Sequence, residues 1–248
     1  GPLHFRFFPR QEDTRENPAG TQKVDVTRRK VLASVVGGAA AIPLLRSGNA
    51  FEAKHSSLLI RPPGSLPEAG FLERCIRCGQ CMRVCPNNAL HPTLMESGFE
   101  GLWTPYMIPK IGYCEPTCTL CTQVCPTGAI QELTLQQKVG DEDTPPTRMG
   151  TAFFDRGRCL PWAMATPCIV CEEWCPVSPK AIYLQEETVL DREGNEVRVQ
   201  RPHVDPALCT GCGACEYACP VFDRKAVYVT SVGETRSEAN QILLERAT

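Results

Sequence analysis

Hydrophobic and polar positions divide the 248-residue chain into five stretches. Residues 1–30 are polar, with seven Lys/Arg against four Asp/Glu, and carry Phe5, Phe7 and Phe8 among basic residues. An apolar run from Val31 to Leu45 (VLASVVGGAAAIPLL) follows, closed by Arg46. At about 1.5 Å per residue it spans roughly 22 Å, short of the roughly 30 Å of a bilayer core. On pattern alone it is an amphipathic or buried helix. Residues 51–74 read as a linker, Arg61-Pro62-Pro63-Gly64-Ser65-Leu66-Pro67, that enters a short helix from Glu68 to Arg74. From residue 75 to 230 short apolar pieces alternate with cysteine-rich loops in an internal repeat. Ala129-Ile130 and Leu133-Thr134-Leu135 predict strand, and beyond an acidic loop so does Ala152-Phe153-Phe154. Ala181 to Leu184 predicts a strand, Asp191 to Asn195 a turn and Val197 to Val199 the returning strand, with Ala226 to Val229 closing the repeat. The first repeat departs from this, with a helix before it and an ordered loop over 98–112 holding Trp103, Pro105, Tyr106 and Pro109. The polar tail, 231–248, ends in a predicted helix that docks through Ile242, Leu243 and Leu244.

Composition sharpens that pattern. Twenty-two prolines and nineteen glycines break up long elements, and aromatic residues are 7% of the chain, so part of the interior is filled by something other than side chains. Sixteen cysteines, an even count, leave a disulfide scaffold or metal sites as the two readings. A net charge of −2 gives no basic excess of the kind nucleic-acid binding requires.

Cysteine spacing decides between the two. The first run is Cys75-x2-Cys78-x2-Cys81-x3-Cys85-Pro86 and the fourth Cys209-x2-Cys212-x2-Cys215-x3-Cys219-Pro220. Both match the C-x2-C-x2-C-x3-C-P pattern of bacterial [4Fe–4S] sites at every spaced position. The second, Cys114-x3-Cys118-x2-Cys121-x3-Cys125-Pro126, has one extra residue in its first gap, and the third, Cys159-x8-Cys168-x2-Cys171-x3-Cys175-Pro176, loops out its first cysteine. All sixteen cysteines are consumed. Three cysteines two residues apart let a tight loop wrap one face of a cubane while its backbone N–H groups point at sulfur. Gly79, Gly211 and Gly213 allow that close approach. The proline after each fourth cysteine suits the start of a helical turn. In two-cluster ferredoxins that fourth cysteine ligates the other cluster, so motifs work in pairs. Structural zinc has no use for four C-x2-C-x3-C-P endings. Two-residue gaps in tight loops are poor disulfide geometry. A radical-SAM site, suggested by Cys114-x3-Cys118-x2-Cys121, needs an iron without a protein ligand, whereas Cys125 follows. The expectation is four [4Fe–4S] clusters, which with their thiolates bring the net charge to about −10 and favour partner surfaces rich in Lys and Arg.

Other residues carry less. His4, His55, His91 and His203 have no carboxylate or cysteine at ligand spacing and read as structural or solvent-facing. Trp103, Trp162 and Trp174 read as packing against the loops, and Glu172-Glu173 as a solvated charge pair. The segment Thr27-Arg28-Arg29-Lys30-Val31-Leu32, the weak apolar run and the small triplet Gly48-Asn49-Ala50 together read as a twin-arginine export signal, a route that carries folded proteins with cofactors in place. Retained, the same segment anchors the chain to a membrane or a partner.

The paired arginines, the linker Leu59-Ile60-Arg61-Pro62-Pro63-Gly64 and the four motifs in this order resemble the NapG/MauM ferredoxin-type proteins over about residues 25–230. The resemblance implies a polyferredoxin on the periplasmic side of a bacterial inner membrane. It implies a NapH-type membrane ferredoxin or quinol-oxidising subunit as donor and a downstream redox protein as acceptor. The expected fold class is α+β: tandem or nested βαββαβ ferredoxin modules over 75–230, after an export or anchor segment (1–50) and a linker with a short helix (51–74), and before a tail (231–248). The expected role is one-electron transfer with no bond chemistry, against the alternatives of a maturation ferredoxin or a subunit of a larger respiratory complex. Related four-cluster subunits nest the first motif with the fourth and the second with the third. The division into two regular and two irregular motifs fits that nesting better than sequential pairing.

Overall fold

Prolines and glycines leave room only for short elements, and among the described residues every helix after residue 58 has seven residues or fewer. The computed structural model describes residues 30–38, 58–141, 144–238 and 240–242. The chain divides into two units, Gly1–Asn49 and Ala50–Thr248. In the first, residues 30–38 form helix α1, whose side chains are exposed. No helix among the described residues is long and apolar enough to cross a membrane. The paired arginines, the rest of the apolar run and the small triplet lie outside the described residues.

In chain order the second unit carries α2 (Glu68–Arg74), α3 (Gln80–Arg83), β1 (Leu90–Pro92), β2 (Pro105–Met107), α4 (Leu120–Gln123) and α5 (Leu135–Val139). There follow β3 (Thr151–Phe154), α6 (Leu160–Ala163), α7 (Val170–Glu173), β4 (Ile182–Leu190), β5 (Glu196–Val204), α8 (Ala214–Ala218) and β6 (Val227–Thr230). The strands form three antiparallel pairs, β1–β2, β3–β6 and β4–β5. In the later half the outer strands β3 and β6 enclose the hairpin and the helices in sequence, with Ala152 opposite Val229 and Phe154 opposite Val227. In the earlier half that outer pairing shrinks to one bridge, Ser65 with Ile130, and Ile60 bridges Met107 of β2. One buried cluster runs through both halves, joining Ile60, Phe71, Met107, Ile130, Ala152, Ile182 and Val227 to several cysteines.

The helix expected from Glu68 to Arg74 is α2, and the hairpin expected around Asp191–Asn195 is β4–β5, longer than the apolar pattern alone marks. Its outer rungs, Thr188 with Arg198 to Leu190 with Glu196, are exposed or half-buried and held by backbone pairing rather than by burial, with the Arg201–Glu187 ion pair nearer the middle. Leu133-Thr134-Leu135 is not a strand: the Gln137 N–H donates to the Thr134 hydroxyl at 3.2 Å and the Thr134 N–H to the Gln137 side chain at 2.9 Å. That capping box starts α5 instead. In the tail, residues 231–238 form turns; the helix expected at its end, with Leu243 and Leu244, lies outside the described residues.

The linker is anchored by charge. Arg61, 1% exposed, donates to both carboxylate oxygens of Glu68, to Thr104 and Ser97 hydroxyls and to the Pro105 carbonyl, and lies 4.6 Å over the Phe71 ring. Arg236 from the tail reaches the same carboxylate at 2.8 Å. Burial by itself raises the Glu68 carboxyl, but the hydrogen bonds and charge of Arg61 and Arg236 outweigh it and hold it at about 2.

Candidate metal centres in four groups of cysteines

Each cysteine run bends into a short helix that carries its third cysteine: Cys81 on α3, Cys121 on α4, Cys171 on α7 and Cys215 on α8. Just before α3 and α8 the chain passes through left-handed glycines, Gly79 at φ 73° and Gly213 at φ 85°. A side chain at Gly213 would also meet Pro109 of the earlier half, with Cβ at 3.0 Å. The corresponding residues before α4 and α7, Thr119 and Ile169, both sit at φ −122°.

The sixteen thiols gather into four groups, and the fourth cysteine of each run joins a group other than its own. Cys75, Cys78 and Cys81 line one cavity with Cys125. Cys159, Cys168 and Cys171 line a second with Cys219, and Cys209, Cys212 and Cys215 a third with Cys175. Cys114, Cys118 and Cys121 stand close enough together to raise one another, and Cys85 lies near enough to Cys114 to raise it too. The first and second runs therefore exchange fourth cysteines, as do the third and fourth. This corrects the crosswise nesting expected above. The reason lies in chain length: each fourth cysteine is followed by a turn and a strand or bridge that return at once to the neighbouring run, which leaves no long crossover for the first run to reach the fourth.

Burial dominates the thiols. It pushes Cys81, Cys121, Cys171 and Cys212 up to about 12, with neighbouring thiols adding to the rise at each. Cys125 moves the other way: burial raises it, but N–H groups of Ile130, Thr127 and Ala129 and the Thr127 hydroxyl outweigh that. Ala89 donates to Cys85 Sγ at 3.3 Å, Ile130 to Cys125 Sγ at 3.4 Å and Ala152 to Cys209 Sγ at 3.4 Å. Four thiolates this close and this buried call for a strongly cationic centre among them. Three of the cavities match in size, at about 20 Å³ each, as one kind of guest requires. Among the described residues no three Cys, His, Asp or Glu side chains converge on one point as a mononuclear ion demands, and none of the sixteen cysteines is in a disulfide. Thiols ringed around a space rather than a point fit a cubane better than zinc.

Two buried charged residues beside these groups escaped the sequence reading. Lys138 of α5 donates to the carbonyl of Glu115 at 2.6 Å and to that of Cys118. The capping box Thr134-x2-Gln137 was the signal for its helix. Glu216, next to Cys215, accepts the Val229 N–H at 2.7 Å and is raised by burial. The remaining candidates have structural partners. His203 packs between Trp162 and Tyr183, His91 Nε2 lies 2.9 Å from the Asn88 carbonyl, and Glu172 pairs with Lys180 at 2.6 Å. Trp174 joins Tyr113 and Tyr217 in a three-ring cluster with centroids 5.3 to 6.0 Å apart, and Trp103 is exposed. His4 and His55 lie outside the described residues.

Comparison with known proteins agrees with this chemistry. The 4Fe-4S binding domain family matches residues 71–91 and again 201–226, around the first and fourth runs. The methylamine utilization ferredoxin-type protein MauM of Methylorubrum extorquens is 37% identical over 204 residues, 78% of this chain and 80% of its own length. The ferredoxin-type protein NapG of Escherichia coli is 34% identical over 216 residues, 85% of this chain and 88% of its own. MauM of Paracoccus denitrificans is 34% identical over 217 residues, 80% and 85% of the two chains. With a mixed helix and strand fold built around cysteine loops, the chain belongs to the NapG/MauM family of ferredoxin-type, iron–sulfur electron-transfer proteins.

Proposed function

We propose that the sixteen cysteines hold four [4Fe–4S] clusters in two successive ferredoxin modules of βαββαβ type, and that the chain carries single electrons between partners without bond chemistry of its own. Such clusters supply reversible one-electron reduction. The observation that carries the reading is the exchange of fourth cysteines, which places two ligand groups side by side within each half.

The ligand loops stand in the order first, second, fourth, third. Cys81 lies near enough to Cys121 to raise it, and Cys171 does the same to Cys215. Between the halves the Cys114 N–H donates to the Cys212 carbonyl at 2.8 Å, a direct backbone link between a second-loop and a fourth-loop ligand. Tyr113, Trp174 and Tyr217 pack around this junction. At one end, Cys78 is the only exposed cysteine of the sixteen, which makes the first group the place of electron exchange with a partner. The twin-arginine segment supports a periplasmic location beside the inner membrane, with a membrane ferredoxin or quinol-oxidising subunit as donor and a downstream redox protein as acceptor.

Anaerobic purification with iron and sulfide analysis, followed by potentiometric EPR, tests the reading. About sixteen irons per chain and reversible one-electron signals from four clusters are expected. About four irons per chain without cluster signals overturns it.

A further inference from the structure

Lys138 is 5% exposed, and its ammonium ends at the second cysteine loop. Its partners are the Glu115 and Cys118 carbonyls, and no ion pair to it occurs among the described residues. Placing an ammonium in a protein interior is costly unless negative charge answers it. Two neutral carbonyls are a partial answer; a ring of thiolates is a full one. The loop is shaped for this cation. The extra residue between Cys114 and Cys118 gives that gap a wider turn, and the carbonyls at its two ends, Glu115 and Cys118, both face Nζ. Neither regular run has the extra residue.

The backbone answers sulfur at the fourth loop, where the Ala152 N–H donates to Cys209 Sγ at 3.4 Å. At the second loop the Lys138 ammonium stands against the Glu115 and Cys118 carbonyls instead.

We propose that Lys138 is the built-in counter-charge of the second-loop site and sets its reduction potential above that of the same site without the cation. The inference rests on the four-cluster reading. One electron taken from the neighbouring site, itself fed by a quinol-linked donor, adds one negative charge here and makes or breaks no bond. A fixed cation stabilises the more negative state more strongly, because Coulomb attraction scales with the charge product. Lys138 is therefore a tuning residue and not a ligand.

The test uses the full chain, anaerobically purified, in wild-type, Lys138→Met, Lys138→Gln and Lys138→Arg forms, with iron and sulfide analysis and potentiometric EPR. With iron retained, Lys138→Met is expected to shift one midpoint potential negative and leave the others in place, while Lys138→Arg restores it. If Lys138→Met loses metal, Lys138→Gln, which keeps amide donors for the two carbonyls without the charge, is expected to show the same shift. Unchanged midpoints in a metal-replete neutral variant overturn the inference and leave a packing residue. Wild-type protein short of four clusters overturns the four-cluster reading instead, before any variant is compared.

Discussion

The first and fourth loops solve one problem with backbone, and the second solves it with a side chain. In the regular loops a left-handed residue stands before the second cysteine and another after it: Arg77 and Gly79 at φ 58° and 73°, Gly211 and Gly213 at φ 70° and 85°. This winding turns N–H groups inward toward sulfur. Thr119 and Ile169 hold ordinary negative φ where the regular loops have glycine, and the first gap has grown to three residues in the second loop and eight in the third. Side chains enter where the winding relaxes: Lys138 on the second loop, and Lys180 on the Glu172 carbonyl of the third at 2.9 Å. Two residues between cysteines specify a conformation; a wider gap gives it up and makes room for a cation.

The largest effect comes from cutting the exchange between a regular and an irregular run. Cys125 ends the second run but sits with Cys75, Cys78 and Cys81. Cys125→Ala is expected to remove the metal of the first group, about a quarter of the iron, and the EPR signal of the most exposed site, while the second group keeps its ligands. Loss of the second-group signal instead would restore each run as its own unit. Iron analysis and EPR on the same sample separate the two outcomes.

Next comes the winding itself. At Gly211 a Cβ would lie 2.6 Å from the backbone of Gly150, at a φ of 70°. Gly211→Ala adds left-handed strain to a clash with rigid backbone and is expected to cost about 3 kcal/mol or more in denaturant unfolding. Gly194, at φ 85° in the β4–β5 turn, has open space around it, and Gly194→Ala should cost only about 1 kcal/mol. Equal costs at the two sites would mean that the regular loop is not held by close approach.

The spacing that announces these loops was legible because ligand geometry is local: sixteen cysteines, four runs and α2 could be read along the chain. Partnership between runs could not, because exchange depends on where the chain goes after each proline. The strand expected at Leu133–Leu135 failed for a related reason. Two leucines flanking a threonine carry the alternation of a strand, yet Thr134 and Gln137 carry the capping box, and hydrogen bonds at a helix start outweigh three residues of alternation. Arg61, Glu68 and Lys138 look like surface charges in sequence. Each becomes a buried partner only when a segment distant in sequence closes over it, as loop 97–105 and Arg236 do over Arg61 and Glu68.

The support of the first loop can be probed through that carboxylate. Glu68 is held at about 2 against an ordinary 4.5, so its depressed folded pKa stabilises the fold fully above pH 4.5 and progressively less as pH falls toward 2. The difference is worth roughly 3 kcal/mol at neutral pH. Comparison of wild-type and Glu68→Gln protein by denaturant unfolding should give a gap that is constant above pH 4.5 and closes below it. A gap independent of pH would show that Arg61 and Arg236 do not depend on the carboxylate charge.

The smallest effect bears most directly on the likeness of the regular loops. Arg77 occupies the left-handed position that Gly211 fills in the fourth loop, and an L side chain there costs about 1 kcal/mol. Its guanidinium recovers that cost through the Leu102 carbonyl at 2.8 Å and the Glu100 carbonyl at 2.6 Å, which tie the loop to residues 99–103. Arg77→Ala keeps the strain and loses both bonds; Arg77→Gly loses both bonds and the strain together. Unfolding should therefore rank wild type and Arg77→Gly within about 1 kcal/mol of each other, with Arg77→Ala about 1 kcal/mol below Arg77→Gly. The reverse order, alanine above glycine, would mean that residue 77 bears no strain and that the first loop reaches its cysteines by a winding different from that of the fourth.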